Sequence, residues 1–310
     1  MILVAGSANL DFVIRAHHIP APGETVLGQA FKTYPGGKGA NQAVACAKAG
    51  GAATRMLLAL GNDPYAEPLR ASLMAANVAL YEVLAPDIQT GCAFICVADN
   101  ADNAITVAPG ANLCLHSHHL PDLTGFNYLL MQLEIELATV TAYAHSAKAR
   151  GVKVVLNAAP AQPMPAELLA DVDVLIVNEG ELAALVPYPV SIVTNLAQIA
   201  VPCVVVTLGQ RGCVARLGNN FFVQPAFDVI AVDTTGAGDT FSGVLVAALS
   251  QGNAINLAMQ RASAAAALAC TAHGAQSSIP AAEEVSAFLA QHAQPIAADE
   301  AALRAYCGLS

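Results

Sequence analysis

Two glycine-rich stretches of this 310-residue chain carry the residue types best suited to chemistry. One is Asp233-Thr-Thr-Gly-Ala-Gly-Asp-Thr-Phe241, which leads into an apolar run with helical spacing that continues to about residue 249. Glycines ahead of a helix let successive backbone N–H groups point at one spot, and the helix N-terminus adds positive potential. Gly236, Ala237 and Gly238 can therefore form an anion hole of the kind a transferring phosphoryl group needs. Asp239 falls in the first helical turn beside it, where a carboxylate can take the proton of an attacking hydroxyl. Spacing alone equally allows a simpler assignment, in which the glycines make a tight turn and Asp239 caps the helix.

The other stretch is Gly36-Gly-Lys-Gly-Ala-Asn-Gln42, which follows an alternating segment and opens a helix. Its glycines permit close backbone approach to a ligand. Gly37, Lys38 and Asn41 offer an N–H, a cation and an amide. It is not a Walker A loop, because Lys38 is followed by Gly39 and position 32 holds Lys. Asn9 and Asp11 come just after the first apolar run, where ligands bind at the carboxyl ends of parallel strands. Together with Asn41 they supply the paired donors and acceptors that vicinal sugar hydroxyls require; as an isolated pair they would be turn formers. Glu134 ends another apolar run. Asn178 and Glu181 lie three apart on one face of a first helical turn, suited to phosphate and to water on Mg²⁺, or simply to capping. In Thr207-Leu-Gly-Gln-Arg-Gly212, Gly209 and Gly212 make room for a nucleotide and Arg211 stands ready for phosphates. The histidines at 116, 118 and 119, near Cys114, match no compact zinc spacing.

These residues need a scaffold that brings successive strand ends together. Apolar runs without polar alternation lie at 2–6, 54–60, 128–134, 153–157, 174–178 and 203–208, as expected for strands covered on both faces. Helical patterns at 38–49, 65–75, 138–150 and 179–186 separate them, which implies α/β architecture with a doubly wound, mostly parallel sheet flanked by helices. Segments 9–37 and 79–108 read as β without helices and are expected to form a small sheet over one edge, a lid. The main α/β body then comprises 1–8, 38–78 and 109–293, and 294–310 is an added C-terminal tail.

Hydrophobic residues make up 55% of the chain and charged residues 12%, which excludes a disordered polymer. A net charge of −10 and a pI near 5.1 argue against a nucleic-acid partner. No apolar run approaches the length of a membrane span, and Met1-Ile-Leu-Val lacks the basic start of a signal peptide. The eight cysteines form no Cys-x-x-Cys pair, which is expected of a reducing cytoplasm.

From Val4 to about Leu289 the sequence resembles the ribokinase, or PfkB-type, carbohydrate kinase family, on the 36–42 and 233–241 stretches in their order and spacing. That resemblance implies a ribokinase-like fold and an ATP-dependent kinase that phosphorylates a primary sugar hydroxyl, with D-ribose the first substrate to expect. Other members of the family act on deoxyribose, nucleosides or other sugars, and a silent sugar or nucleoside sensor is the alternative outside catalysis. It further implies Asp239 as base and Gly236, Ala237 and Gly238 as anion hole. Asn9, Asp11, Gly37, Lys38, Asn41 and Glu134 match sugar-binding positions. Asn178, Thr207, Gly209, Arg211, Gly212, Gly238 and Ser263 match ATP-binding positions, and Glu181 matches a position linked to Mg²⁺ through water. A K⁺ site is implied at Asp233, Thr235, Ala269, Ala272, Gly274 and Ser278, through His273-Gly-Ala-Gln-Ser-Ser-Ile-Pro280. The chain departs from the family pattern at Ser263, where relatives often carry His or Asn, and at Asn157-Ala-Ala-Pro160, where they carry Asn-Pro-Ala-Pro. A homodimer through the lid is expected because an exposed sheet edge invites a partner.

Overall fold

The computed structural model describes residues 1–100, 102–186, 190–292 and 297–309. In chain order its strands are β1 (Ile2–Ala5), β2 (Asn9–Arg15), β3 (Ala30–Gly36), β4 (Thr54–Gly61), β5 (Ala79–Ala85), β6 (Gly91–Val97), β7 (Asn103–Ala108), β8 (Tyr128–Met131), β9 (Lys153–Asn157), β10 (Val174–Asn178), β11 (Cys203–Thr207), β12 (Gly212–Leu217) and β13 (Asn220–Pro225). The helices are α1 (Lys38–Val44), α2 (Ala66–Ala75), α3 (Leu137–Ala149), α4 (Ala166–Asp171), α5 (Glu179–Leu185), α6 (Ile192–Ala197), α7 (Ala237–Ser250), α8 (Ile255–Ala269), α9 (Ala282–Gln291) and α10 (Ala297–Cys307).

Nine strands form one sheet in the order β13-β12-β11-β10-β9-β8-β1-β4-β5. From β11 to β5 every pairing is parallel, and only the β11-β12-β13 edge is antiparallel. Side chains alternate between two cores. Ile2, Val4, Met56 and Leu58 face the layer that holds α1, α7 and α8, while Leu3, Ala5, Leu57 and Ala59 face the layer that holds α3, α4 and α6. Burial on both faces is what made these strands continuous apolar runs. The second sheet has the order β3-β2-β6-β7.

Two expectations need correction. Residues 79–85, expected in the lid, form β5 and extend the main sheet beside β4, with Arg55 opposite Ala79 and Gly61 opposite Ala85. An edge strand is buried on one face only, so it shows the same alternation as a lid strand. The β8 strand stops at Met131 rather than reaching Glu134, because Leu133 N turns away to bond Ala159 O at 2.9 Å. Beyond the loop expected at 207–212, residues 212–225 form the β12–β13 hairpin, a stretch to which no element was assigned. Of the expected tail, residues 294–296 and 310 lie outside the described residues, as do residue 101 of the expected lid and residues 187–189 and 293 of the expected body; the rest of the tail is mainly helix α10. Among the described residues all eight cysteines are free, and no helix is long and apolar enough to cross a membrane.

Candidate active site

Helix α1, continued by a π-helical turn over Ala45–Ala49, approaches α7 closely because small residues line their contact. A Cβ on Gly243 would lie 2.6 Å from Ala45 Cβ, and one on Gly50 would lie 2.2 Å from Ala247 Cβ. Interiors close-packed to this degree leave no room for larger side chains. This contact sets the start of α1 against the start of α7. Gly236 is the N-cap of α7 with φ 76°, and a Cβ there would lie 2.9 Å from Ala275 Cα. Asp239 therefore sits in the first turn of a 14-residue helix and is only 7% exposed.

Both carboxylate oxygens of Asp239 accept hydrogen bonds from α1. Asn41 Nδ2 donates to Oδ2 at 2.9 Å and Gln42 Nε2 donates to Oδ1 at 2.9 Å. Lys38 opens the same helix, and the Asp239 carboxylate, against the opposing effect of burial, holds its ammonium above the usual lysine range, helped by Glu134 and Glu181. Lys38 thus stands within the field of three of the expected site carboxylates.

The residues expected to hold a sugar gather around the start of β2. Asn9 Oδ1 accepts from Asn112 Nδ2 at 2.7 Å, and Asn112 Oδ1 accepts from Ala8 N at 3.0 Å. Glu134 Oε2 accepts from Ser7 Oγ at 2.6 Å and from Lys38 N at 3.1 Å, tying β8's exit to the glycine-rich turn. Gly37 has φ 88°, and a Cβ there would lie 2.7 Å from Asn9 N. Gly36 leaves space for Asp11, whose Oδ2 would otherwise be 2.2 Å from a Cβ. Burial, with the charges of Glu134 and Asp239 beside it, pushes the Asp11 carboxyl up to about 7. Ser7 and Asn112 were not singled out from sequence; each is a polar residue fully buried in apolar surroundings, and nothing in its local spacing marks it.

The ends of β10 and β11 carry the residues expected to hold nucleotide. Asn178 Oδ1 accepts from Glu181 N at 2.7 Å while Asn178 N donates to Glu181 Oε2 at 2.8 Å, a reciprocal cap of α5. Burial raises the Glu181 carboxyl, partly offset by the Asn178 N–H and Lys38. Thr207 ends β11, with Oγ1 3.4 Å from Val177 O. Gly209 and Gly212 adopt φ of 58° and 110° around a single turn that holds Arg211. The Arg211 guanidinium lies 4.3 Å from the centre of the Tyr306 ring, and Tyr306 Oη donates to Glu179 Oε1 at 2.6 Å. Helix α10 therefore reaches this edge of the site, with Leu303 and Cys307 buried beneath it. Ser263 is buried beside Cys213, its Oγ 3.6 Å from Sγ.

Asp233 joins two loops. Its Oδ1 accepts from Thr235 N and its Oδ2 from Gly274 N, each at 2.9 Å. Burial works to raise its pKa, yet these N–H groups hold it below the usual carboxylate range. Thr235 and Gly274, two of the residues expected for a monovalent cation, are tied to Asp233 by these bonds; with Ala269, Ala272 and Ser278 they would offer oxygen donors. Such a donor set fits a hard cation; among the described residues no group of three or more His, Cys, Asp or Glu is placed to hold a metal ion.

On the lid, Phe12 stacks with Phe94 at 5.3 Å and with Phe31 at 6.1 Å between ring centres. Strand alternation puts these rings on the face opposite Asp11. Tyr34 pairs directly with Asp11 across the sheet and shares its face.

Comparison with known proteins agrees with this architecture. Residues 1–282 match the model of the pfkB family carbohydrate kinases. A ribokinase of Haemophilus influenzae is 38% identical over 305 residues, covering 94% of this chain and 99% of its own. A deoxyribokinase of Salmonella typhi is 34% identical, covering 93% and 98%. The structure of Arabidopsis thaliana ribokinase complexed with ribose and ATP superposes with a TM-score of 0.87 at 30% identity, covering 93% of this chain and 98% of that one. With its nine-stranded sheet, separate small sheet and paired glycine loops, this chain belongs to the pfkB family of carbohydrate kinases and is an ATP-using sugar phosphotransferase of ribokinase type.

Proposed function

We propose that the chain transfers the γ-phosphoryl group of ATP to the primary hydroxyl of D-ribose, giving ribose 5-phosphate, with deoxyribose the nearest competing substrate. The observation that carries this reading is the buried Asp239 carboxylate, fixed by two amides at the N-terminus of α7 and facing the Asn9, Asp11, Lys38 and Glu134 cluster. Among the relatives, most are named for ribose and two for deoxyribose, and one structure holds ribose with ATP.

In this scheme Asn9, Asp11, Gly37, Lys38, Asn41 and Glu134 hold the sugar with its primary hydroxyl beside Asp239. The hydroxyl oxygen forms a bond to the γ-phosphorus as the bond from that phosphorus to the bridging oxygen breaks, releasing ADP. Asp239 receives the hydroxyl proton. The N–H groups at Gly236, Ala237 and Gly238 would face the transferring oxygens, that of Ala237 giving up its 3.2 Å bond to Thr234 O, and charge stabilisation with positioning supplies most of the rate. Asn178, Thr207, Gly209, Arg211, Gly212 and Ser263 line the nucleotide side. Glu181, with one oxygen on its cap, would hold Mg²⁺ through water, and that ion supplies charge neutralisation when bound. The oxygen donors around Asp233 would hold K⁺, which strengthens the positive field of the anion hole when bound. Closing the small sheet would exclude water and suppress ATP hydrolysis. Its face opposite Asp11 exposes Phe31 by 62%, Phe94 by 54% and Ile14 by 40%, which supports a homodimer through this sheet.

Phe12, Phe31 and Phe94 lie on the face opposite Asp11 and are not placed to stack on a base. This favours a free sugar over an intact nucleoside. A substrate panel of ribose, deoxyribose, fructose and nucleosides, each with and without K⁺, tests the reading. Ribose should give the highest kcat/KM, with activation by K⁺. A preference for a nucleoside would overturn it.

A further inference from the structure

The Asp239 carboxylate is the centre of a buried chain of amides that extends well beyond the groups able to touch a sugar. On one side, Gln42 Nε2 donates to Asp239 Oδ1 and also to Asn157 Oδ1, both at 2.9 Å. Gln42 Oε1 accepts from Gln132 Nε2 at 2.6 Å, and Asn157 Nδ2 donates to Ile176 O at 3.1 Å. On the other side, Asn41 Oδ1 accepts from Gln276 Nε2 at 3.1 Å, and Gln276 Oε1 accepts from Ser72 Oγ at 2.5 Å. Gln42 and Gln132 are 0% exposed, and Asn157 and Gln276 are 7% and 6% exposed.

The direction of every bond in this chain follows from one charge. An ionised carboxylate only accepts, so Asn41 and Gln42 must each turn an NH₂ toward Asp239. Their carbonyl oxygens then face away and must find donors, which Gln276 and Gln132 provide. An amide left alone can turn over at little cost, and a turned amide would set its oxygen against the carboxylate. Gln132 is itself held in a tight seat, since a Cβ on Gly6 would lie 2.0 Å from its Oε1, an oxygen without a partner among the described residues. A buried polar atom left unsatisfied is costly, so the site tolerates that oxygen in order to aim the NH₂ at Gln42.

We propose that Gln42, Gln132 and Gln276 are positioning residues for the phosphoryl-transfer base. They lock the flanking amides as donors to Asp239, so that one lone pair of each carboxylate oxygen is occupied and a remaining one faces the substrate hydroxyl. The inference rests on the assignment of Asp239 as base.

The test compares the full-length enzyme with Gln42→Met, Gln132→Met and Gln276→Met, measuring kcat and both KM values at pH 7 and sugar binding by calorimetry. Gln42→Met should lower kcat by about tenfold, since one charge-assisted bond to the base is lost. Gln132→Met and Gln276→Met should lower it by a smaller amount. Both KM values should change less than about twofold. An unchanged kcat in Gln42→Met would overturn the proposal, as would a rise in sugar KM with kcat unchanged. Loss of sugar binding in all three variants would also count against it, by showing that the amides hold the fold and not the base. Asp239→Asn at wild-type activity would instead refute the base assignment underneath.

Discussion

Asp11 offers a prediction in which function and stability oppose each other. Its carboxyl is pushed from 3.8 to about 7 by burial and by the neighbouring Glu134 and Asp239 charges. In the unfolded chain Asp11 loses its proton near pH 4, while in the folded protein it keeps that proton until about pH 7. The folded state therefore binds more protons over this window, and stability contributed at this position falls as pH rises through it. At 1.36 kcal/mol per unit the full penalty is at most about 4 kcal/mol above pH 7, less the part that water in the open site screens. Asp11→Asn removes the titration. The variant should be more stable than wild type at pH 8 by about 2–3 kcal/mol more than at pH 5, equivalent to a Tm difference of about 3–5 °C for a chain of this length. The same variant should raise the sugar KM by at least about tenfold, because a hydroxyl loses a charged acceptor. Thermal melts at both pH values with initial-rate kinetics measure this directly. A stability gain equal at pH 5 and pH 8 would refute the argument that Asp11 is held by its charged neighbours at the price of the fold.

Gly36→Ala places a Cβ 2.2 Å from Asp11 Oδ2, so the carboxylate must move; sugar KM should rise by about tenfold while the Tm changes little, by kinetics and melting. Gly236→Ala combines a φ of 76° with a Cβ 2.9 Å from Ala275 Cα, and should cost about 1–3 kcal/mol of stability in denaturant titration, with a lower kcat from a displaced anion hole. Tyr306→Leu strips the ring from over Arg211 and should raise the ATP KM by about two- to fivefold with the sugar KM unchanged, in initial rates at varied ATP.

The parts of this molecule that sequence could reveal are those set by local patterns. Glycines before a helix mark the 233–241 loop, and the structure puts Gly236 at the N-cap with Asp239 in the first turn. Strands buried on both faces are continuous apolar runs, which located β1, β4, β9, β10 and β11 to within a residue or two. Strand β5 escaped because an edge strand alternates like a lid strand, and the β12–β13 hairpin was hidden behind the glycines of the loop that starts it. Long-range pairings were not legible at all. Ser7 lies 127 positions from Glu134 and Gln42 lies 197 positions from Asp239, so no local spacing could join them. The same holds for Tyr306, which reaches Arg211 from a helix beyond residue 282, where the family match ends. Asn41 was readable as a sugar ligand from its motif, but its bonds to Asp239 and Gln276 show that its first structural partner is the carboxylate.

The most direct test of the central claim is the rate of phosphoryl transfer by Asp239→Asn in single turnover, with sugar and ATP binding followed separately. The replacement keeps the shape of the side chain and removes its capacity to accept a proton. Transfer should fall by about 10²–10⁴-fold while both ligands still bind within about threefold of wild type. Transfer at the wild-type rate by a variant that binds both ligands would contradict the assignment of Asp239 as the base.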